Sequence, residues 1–419
     1  MPNPLAAPFT EAHEHHRYRL PRSFHIIIAA QFCSALADNA LLIVCVALLL
    51  DQGSPAWWAP LLKFTFTIAY VVLAPGVGAW ADAVRKGRMM MAMNLVKVAG
   101  LVLLLLGTNP LLAMVLVGVG AAAYAPAKYG LVTELVPARG LVAANGWIEV
   151  TTVCAVVMGT MLGGFLISPW VRDAGAALLP GASTLTFSLV SLLLLYGLAA
   201  ALNLGIPHSG AHYPGNTLSL RPMVSGFVDA QRRLWADPNG ALSMAVTTLF
   251  WGAAAVLQFA VLRWGVDVLQ LGLDKAAYLQ GAVAVGIVIG AGLAARHVSL
   301  DGALRVLPLG LLMGLSVPLA AQLSTWWLAL PAMALAGALG GALVVPLNAL
   351  LQHRGHVLLT AGRSIAVQNF NENLSVLVML GVYAALLAWG VDVRAVMAGL
   401  GLLVGTSVCA LWWRSRRLR

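Results

Sequence analysis

The chain has 419 residues, 60% of them hydrophobic and only 10% charged, with a mean hydropathy of +0.87. A soluble domain is excluded, because apolar stretches of ~20 residues recur along the whole length, as in a protein that crosses a membrane many times. The net charge of +10 would suit nucleic acid, but its distribution along the chain excludes that as well.

Residues 1–23 read as a polar cytoplasmic tail with no signal peptide, carrying His13, His15, His16, Arg17 and Arg19 before the first apolar run. The His-Glu-His-His run reads as part of this flexible tail and not as a metal site. Twelve spans are then predicted, near 24–50, 57–81, 89–108, 111–134, 141–167 and 183–206, then 240–266, 276–296, 302–322, 325–350, 363–389 and 391–413. The polar stretch 207–239 joins two six-span halves, 24–206 and 240–413, and a basic tail, 414–419, follows. The fold class is an all-α polytopic membrane protein. Cys33, Cys45, Cys154 and Cys409 each stand alone inside an apolar segment and read as small buried side chains, not as ligands or disulfides.

Sidedness follows from Lys and Arg. With the N-terminus placed inside, eighteen fall in the inner segments and three, Arg172, Lys275 and Arg394, on the opposite side. The remaining Lys63, Lys97, Lys128 and Arg263 fall within or at the edge of spans. This bias predicts both termini in the cytoplasm. The basic excess is topology, with anionic headgroups as its counter-charge, and no nucleic acid is needed.

The halves look like copies. Gly120-x5-Pro126 in the fourth span matches Gly340-x5-Pro346 in the tenth. Asn145 and Glu149 in the fifth span match Asn369 and Glu372 in the eleventh. That is the parallel-repeat plan of the major facilitator fold, with substrate held near the midplane between the halves. Gly78-Ala-Trp-Ala-Asp82-Ala-Val-Arg85-Lys86-Gly87-Arg88, between spans two and three, resembles the loop signature of that superfamily. Two extra residues separate Asp82 from Gly87. Gly78, Asp82, Arg85, Lys86, Gly87 and Arg88 are therefore read as gate and packing residues. The counterpart Gly292-Leu-Ala-Ala-Arg296 matches the signature less well.

The polar groups at membrane depth are the candidate site. Asp38 and Asn39 sit halfway along the first span, where a carboxylate costs ~2.5–3.5 kcal/mol. Lys128 follows Pro126, which frees a backbone carbonyl. Asn145 and Glu149, four residues apart, share one helix face, and Glu149 could equally neutralise Lys128. Span seven offers Trp251, Gln258 and, near its outer end, Arg263. Span eleven carries Gln368-Asn369-Phe370-Asn371-Glu372-Asn373. Small-residue pairs, Gly159-x3-Gly163, Gly286-x3-Gly290 and Gly337-x3-Gly341, predict close helix packing. No Gly-x-Ser-x-Gly elbow, Walker loop or His-Glu-x-x-His occurs, so transport is expected and not catalysis.

Gln31–Ile43, Gly118–Gly130, Val344–Gln352 and Ile365–Asn373, with Lys86-Gly-Arg-Met-Met90 and Leu249-Phe-Trp-Gly252, resemble the bacterial lysophospholipid transporters of the major facilitator superfamily. The likeness spans Ile26 to Trp413. It implies an inner-membrane flippase that moves lysophosphatidylethanolamine, lysophosphatidylglycerol and related lysolipids from the outer to the inner leaflet. There an acyltransferase partner restores the second chain. It also implies an arginine in span seven, where this chain has Gln258. On this reading Lys128 and Arg263 meet the phosphate. Asp38, Glu149 and Glu372 meet an ethanolamine ammonium or a coupling proton or sodium ion, and Asn39, Asn145, Gln258, Asn369 and Asn371 complete the hydrogen bonds. No cofactor and a monomeric state are expected. The alternatives are an exporter of amphipathic drugs and a membrane partner of an acyltransferase that has lost transport.

Overall fold

A computed structural model describes residues 20–53, 58–178, 185–211, 220–271 and 273–417. Most of the predicted N-terminal tail, linker residues 212–219 and the last two residues lie outside the described residues. The chain forms fifteen α-helices among those described. In the first half they are α1 (Arg22–Asp51), α2 (Trp58–Val72), α3 (Ala74–Ala83), α4 (Lys86–Leu105), α5 (Pro110–Leu135), α6 (Leu141–Leu166), α7 (Pro169–Leu178) and α8 (Thr186–Leu204). Then come α9 (Leu220–Ala236), α10 (Pro238–Asp267), α11 (Leu273–His297), α12 (Leu307–Ala321), α13 (Trp326–Leu358), α14 (Ala361–Ala388) and α15 (Val393–Arg417). Eleven are long and apolar enough to cross a membrane, and α2 with α3 makes a twelfth span bent by 63°. The bend falls where Pro75, in the first turn of α3, cannot continue the preceding helix.

Local chemistry sets the helix starts. Asn109 caps α5, its side chain accepting from the Leu111 N–H at 2.8 Å with Pro110 next. Asp237 caps α10, accepting from the Gly240 N–H at 2.7 Å with Pro238 next. A cap followed by proline at the first helical position satisfies an orphan donor and presets φ.

The two halves repeat each other in their packing. In the first, α1 packs on α6, α2 on α5 and α4 on α8; in the second, α10 packs on α14, α11 on α13 and α12 on α15. These are spans one and five, two and four, three and six, and then the same pairs six spans on. Glycines set the close approaches. Cβ atoms at Gly286 and Gly290 would run into α13 at Ala334 and Ala338, and Cβ atoms at Gly337 and Gly341 into α11 at Val283 and Ile287. Gly159 and Gly163 likewise seat α6 on the Leu36 and Ala40 carbonyls of α1.

Three expectations change. The predicted linker 207–239 is largely the amphipathic helix α9, which buries Ala230 and Leu234 against Met244, Leu351 and Val367. Helix α13 runs to Leu358, eight residues past the predicted end, and its added turns are held by Gln352 on Asn145 and Arg354 on Asp237. Of the cysteines, Cys45 is buried but Cys409 is exposed.

The face that carries α9 and most of the basic loops is called the basic face below. There the halves meet: α6 packs on α11 and α13, and α14 packs on α2, α3 and α5.

Candidate functional site

Asp38 lies about 24 Å along α1 from its basic-face end, at 1.5 Å per residue. Its carboxylate accepts from Lys97 Nζ at 2.7 and 2.8 Å and from the Tyr196 hydroxyl at 2.7 Å. Lys97 also donates to Ser34 Oγ at 2.9 Å, and Ser34 donates to Asn94 at 2.8 Å. The ammonium stands 5.6 Å from the ring centroids of both Tyr124 and Tyr196. Gly120 makes room for this lysine: a Cβ there would sit 2.7 Å from its Cγ. Asp38 is therefore neutralised within its own half, by α4 and α8. In this structure it presents no free carboxylate to an ammonium or a coupling ion.

A second cluster lies nearer the basic face. Lys128 on α5 is buried, its ammonium 4.0 Å over the Tyr129 ring. Glu149 on α6 is buried as well and is its foremost charged neighbour, close enough to feel the charge but not in contact. Glu372 on α14 accepts from Gln368 at 2.9 Å, and Gln368 also donates to Asn348 of α13 at 3.0 Å. Glu149 and Glu372 lie on opposite halves, on α6 and α14. These three ionisable groups lie about 10, 12 and 17 Å from the basic-face ends of their helices.

The remaining predicted residues separate from this centre. Arg263 is exposed, four residues from the far end of α10, and pairs with Asp267 at 3.0 Å. It stands about 37 Å along its helix from the basic face, so it cannot share one phosphate with Lys128. Gln258 is exposed, and its backbone carbonyl accepts from Gln280 at 2.5 Å. Asn39 bonds back to the Ala35 carbonyl and packs on Gly159 of α6, turned away from Asp38 by helical geometry. Asn145 and Gln352 exchange two 2.9 Å hydrogen bonds, which makes Asn145 a clamp between the halves. Asn371 faces α9, donating to Gln231 at 3.0 Å. Asn369 stays in the bundle, its side-chain amide buried without a hydrogen-bond acceptor.

The loop signature closes the basic face. The Asp82 carboxylate accepts from the backbone N–H groups of Gly362 (2.8 Å) and Arg363 (3.2 Å) and from the Thr360 hydroxyl. It thus sits on the N-terminus of α14, where the helix dipole favours an anion. Lys86 stands 3.6 Å from Asp82 and 2.6 Å from Glu134. Gly78 lets α3 touch α14, since a Cβ there would meet Ala366 at 2.8 Å. Gly87 faces Ile206, while Arg85 and Arg88 are exposed. The counterpart in the second half makes no such contact: Gly292 faces open space and Arg296 is exposed. Arg354 binds Asp237 through both carboxylate oxygens and ties α13 to the start of α10. Burial would raise the Asp237 pKa, but the hydrogen bonds from Arg354 and the Gly240 N–H, with the Arg354 charge, outweigh it and hold the carboxyl below its usual value.

Sequence reasoning left Lys97 without a role, and missed Tyr196, Gln352 and the Asp237–Arg354 pair. Lys97 had a signal. A lysine in the middle of one span and an aspartate in the middle of another each need a counter-charge, and Asn94, three residues earlier, marks the same polar face.

Two six-helix copies closing one face around a buried polar centre define a transporter of the major facilitator class, and the model of the Major Facilitator Superfamily matches residues 27–379. Solved structures agree on the fold. The human organic anion transporter MFSD10 (TETRAN) gives a TM-score of 0.71 at 15% identity, covering 93% of this chain and 100% of that one. A bacterial homologue of the iron transporter ferroportin, in an outward-facing state, gives 0.71 at 14%, covering 94% and 99%. Sequence relatives narrow the class. The chain is 41% identical over 394 residues to the lysophospholipid transporter LplT of Klebsiella pneumoniae (strain 342), covering 93% of this chain and 95% of that protein. It is 42% identical over 395 residues to LplT of Citrobacter koseri, covering 94% and 96%. The chain belongs to the LplT family of the major facilitator superfamily.

Proposed function

We propose that the chain is a lysophospholipid transporter of the bacterial inner membrane. It carries lysophosphatidylethanolamine, lysophosphatidylglycerol and related lysolipids from the outer to the inner leaflet, where an acyltransferase restores the second chain. The basic face is cytoplasmic and holds both termini, and the chain works as a monomer without a cofactor. The kinship with LplT supports the substrate class. One structural observation carries the mechanism: Lys128, Glu149 and Glu372 are all buried and lie at neighbouring depths on helices from both halves, and among the described residues Lys128 has no salt bridge to either carboxyl. A phosphate and an ammonium at mid-membrane need those opposite charges. Rocking of the halves would then expose the cluster first to the outer leaflet and, once the Asp82 latch opens, to the inner one. A driving proton or sodium ion would exchange at Glu149 or Glu372, since Asp38 already holds Lys97.

The test is movement of lysophosphatidylethanolamine in proteoliposomes, wild type beside Lys128→Gln, with and without imposed proton and sodium gradients. Movement by the wild type that is lost in Lys128→Gln is the expected result. A wild type that moves no lysolipid under any gradient overturns the reading.

A further inference from the structure

A groove of about 250 Å³ opens between α1 and α6, lined by Phe24, Ile28 and Phe32 on one side and by Trp147 and Thr151 on the other. It faces outward: Trp147 is 56% exposed, and Ala29, also on its wall, is exposed as well. Trp147 and Thr151 each stand two residues from Glu149, which puts them on the opposite face of α6 from the central cluster. The only hydroxyl among the lining residues, that of Thr151, donates to the Trp147 carbonyl at 2.8 Å, so the walls are hydrocarbon. Away from the basic face the groove ends at Phe32 and Thr151. Just beyond them Gln31 donates to Thr152 at 2.8 Å and Gly159 seats α6 on Leu36, drawing the two helices together. Arg22, His25, Ala29 and Phe32 follow one another at spacings of three, four and three and so form one stripe of α1. Arg22 and His25 are exposed and stand at its basic-face end. From Arg22 to Phe32 the stripe runs about 15 Å, the depth of one leaflet of a ~30 Å hydrocarbon core.

We infer that this groove is a holding site for a single-chain anionic lipid of the inner leaflet. The acyl chain lies between α1 and α6, and Arg22, with His25 beside it, meets the phosphate at headgroup depth. Three features select this occupant. The groove is apolar, opens on the outer wall of two spanning helices and has the length of one leaflet, so a lipid chain and not water fills it. It is a single cleft between two helices and takes one chain, leaving the second chain of a diacyl lipid outside. Its headgroup end is basic and complements a phosphate. Bilayer and groove are equally apolar, so affinity comes from close packing of the chain and from Arg22. The inference rests on the transport reading, which makes the basic face cytoplasmic and a lysolipid the single-chain lipid at hand. The site lies outside the central path and retains a delivered lysolipid at the wall of the transporter.

The experiment is photolabelling of the full chain in phosphatidylethanolamine vesicles with lysophosphatidylglycerol carrying a diazirine at the end of its chain. Adducts, mapped by peptide mass spectrometry, are expected to concentrate on the segments that hold Phe32 and Trp147. Unlabelled lysophosphatidylglycerol in excess is expected to suppress them about tenfold, and diacyl phosphatidylglycerol at the same concentration to leave them in place. Ala29→Trp fills the groove and is expected to abolish these adducts. Arg22→Gln is expected to raise the half-saturating probe concentration about fivefold. Both positions are exposed, so neither change disturbs the core. Adducts spread evenly over the perimeter, with Leu194 and Leu198 of α8 labelled as strongly as the groove, overturn the site. So does equal suppression by the diacyl lipid, or labelling that ignores Ala29→Trp and Arg22→Gln. Groove adducts on a wild type that moves no lysolipid keep the site and overturn the transport reading. Transport without groove adducts does the opposite.

Discussion

The Asp82 carboxylate accepts a 2.8 Å hydrogen bond from the backbone N–H of Gly362, and the two residues belong to opposite halves of the molecule. The contact places a negative charge on the N-terminus of α14, an arrangement that exists only while the basic face is closed. Asp82→Asn keeps the shape and removes the charge. A charge-assisted hydrogen bond contributes ~1.5–3 kcal/mol, so the closed-to-open ratio is expected to fall by about tenfold or more. Spin-label distances between α3 and α14, in wild type and variant, measure it. Identical distance distributions would show that the latch contributes nothing to closure.

Asp38 and Lys97 form a pair whose halves should not be removed singly. Asp38→Asn leaves an ammonium among Tyr124 and Tyr196 with no counter-charge, a loss of about 3–5 kcal/mol for a buried pair. Adding Lys97→Met removes the orphan and is expected to recover most of that stability. Thermal unfolding in detergent of the two single variants and the double variant gives the coupling. A double variant no more stable than Asp38→Asn alone would rule out the pair as the source.

Asp237 sets a pH expectation on the basic face. Its pKa in the folded chain lies below the ordinary aspartate value through Arg354 and the Gly240 N–H. Stability from a depressed carboxyl is fully present above the unfolded pKa of ~3.9 and is lost as pH falls through the lower native value. Asp237→Asn keeps a good helix cap and loses the ion pair. The difference in unfolding temperature between wild type and Asp237→Asn should therefore hold constant from about pH 8 to 5 and shrink only below about pH 4. A difference that vanishes near neutrality would contradict the assignment.

The span plan was legible because hydropathy, proline and the basic loops all point the same way, and the two copies appear in sequence through the Gly120/Pro126 and Gly340/Pro346 spacing. The glycine pairs marked helix faces that pack closely, though not the partners they pack on, which are α11 with α13 and α6 with α1. What stayed hidden was the direction of each polar side chain. Asn39 follows Asp38 directly, yet a helix turns neighbouring residues about 100° apart, and Asn39 packs on Gly159 while Asp38 meets Lys97. Asn371 and Glu372 part in the same way, one to α9 and one to the bundle. Depth was also hidden for Arg263. Its position in span seven allowed a central role, but only the extent of α10 put it beside Asp267 at the far rim. The α9 helix carried a signal that went unread: Met223, Phe227, Ala230 and Leu234 recur at helical spacing, but the arginines and polar residues around them made the stretch read as a linker.

The two seams that close the basic face are made of different materials. Where α6 meets α11, Gly146 lies on Ala291 and Ala295 with small, dry side chains on both sides. Where α3 meets α14, the closure is Asp82 on a helix end, braced by Lys86 and Glu134, and the matching loop of the second half forms no lock of its own. Removing a charge acts on an ionic contact and scarcely on packed methyl groups. The molecule is thus hung like a door, with an apolar hinge along one edge and an ionic catch along the other. A change that removes a charge is felt at the catch and not at the hinge.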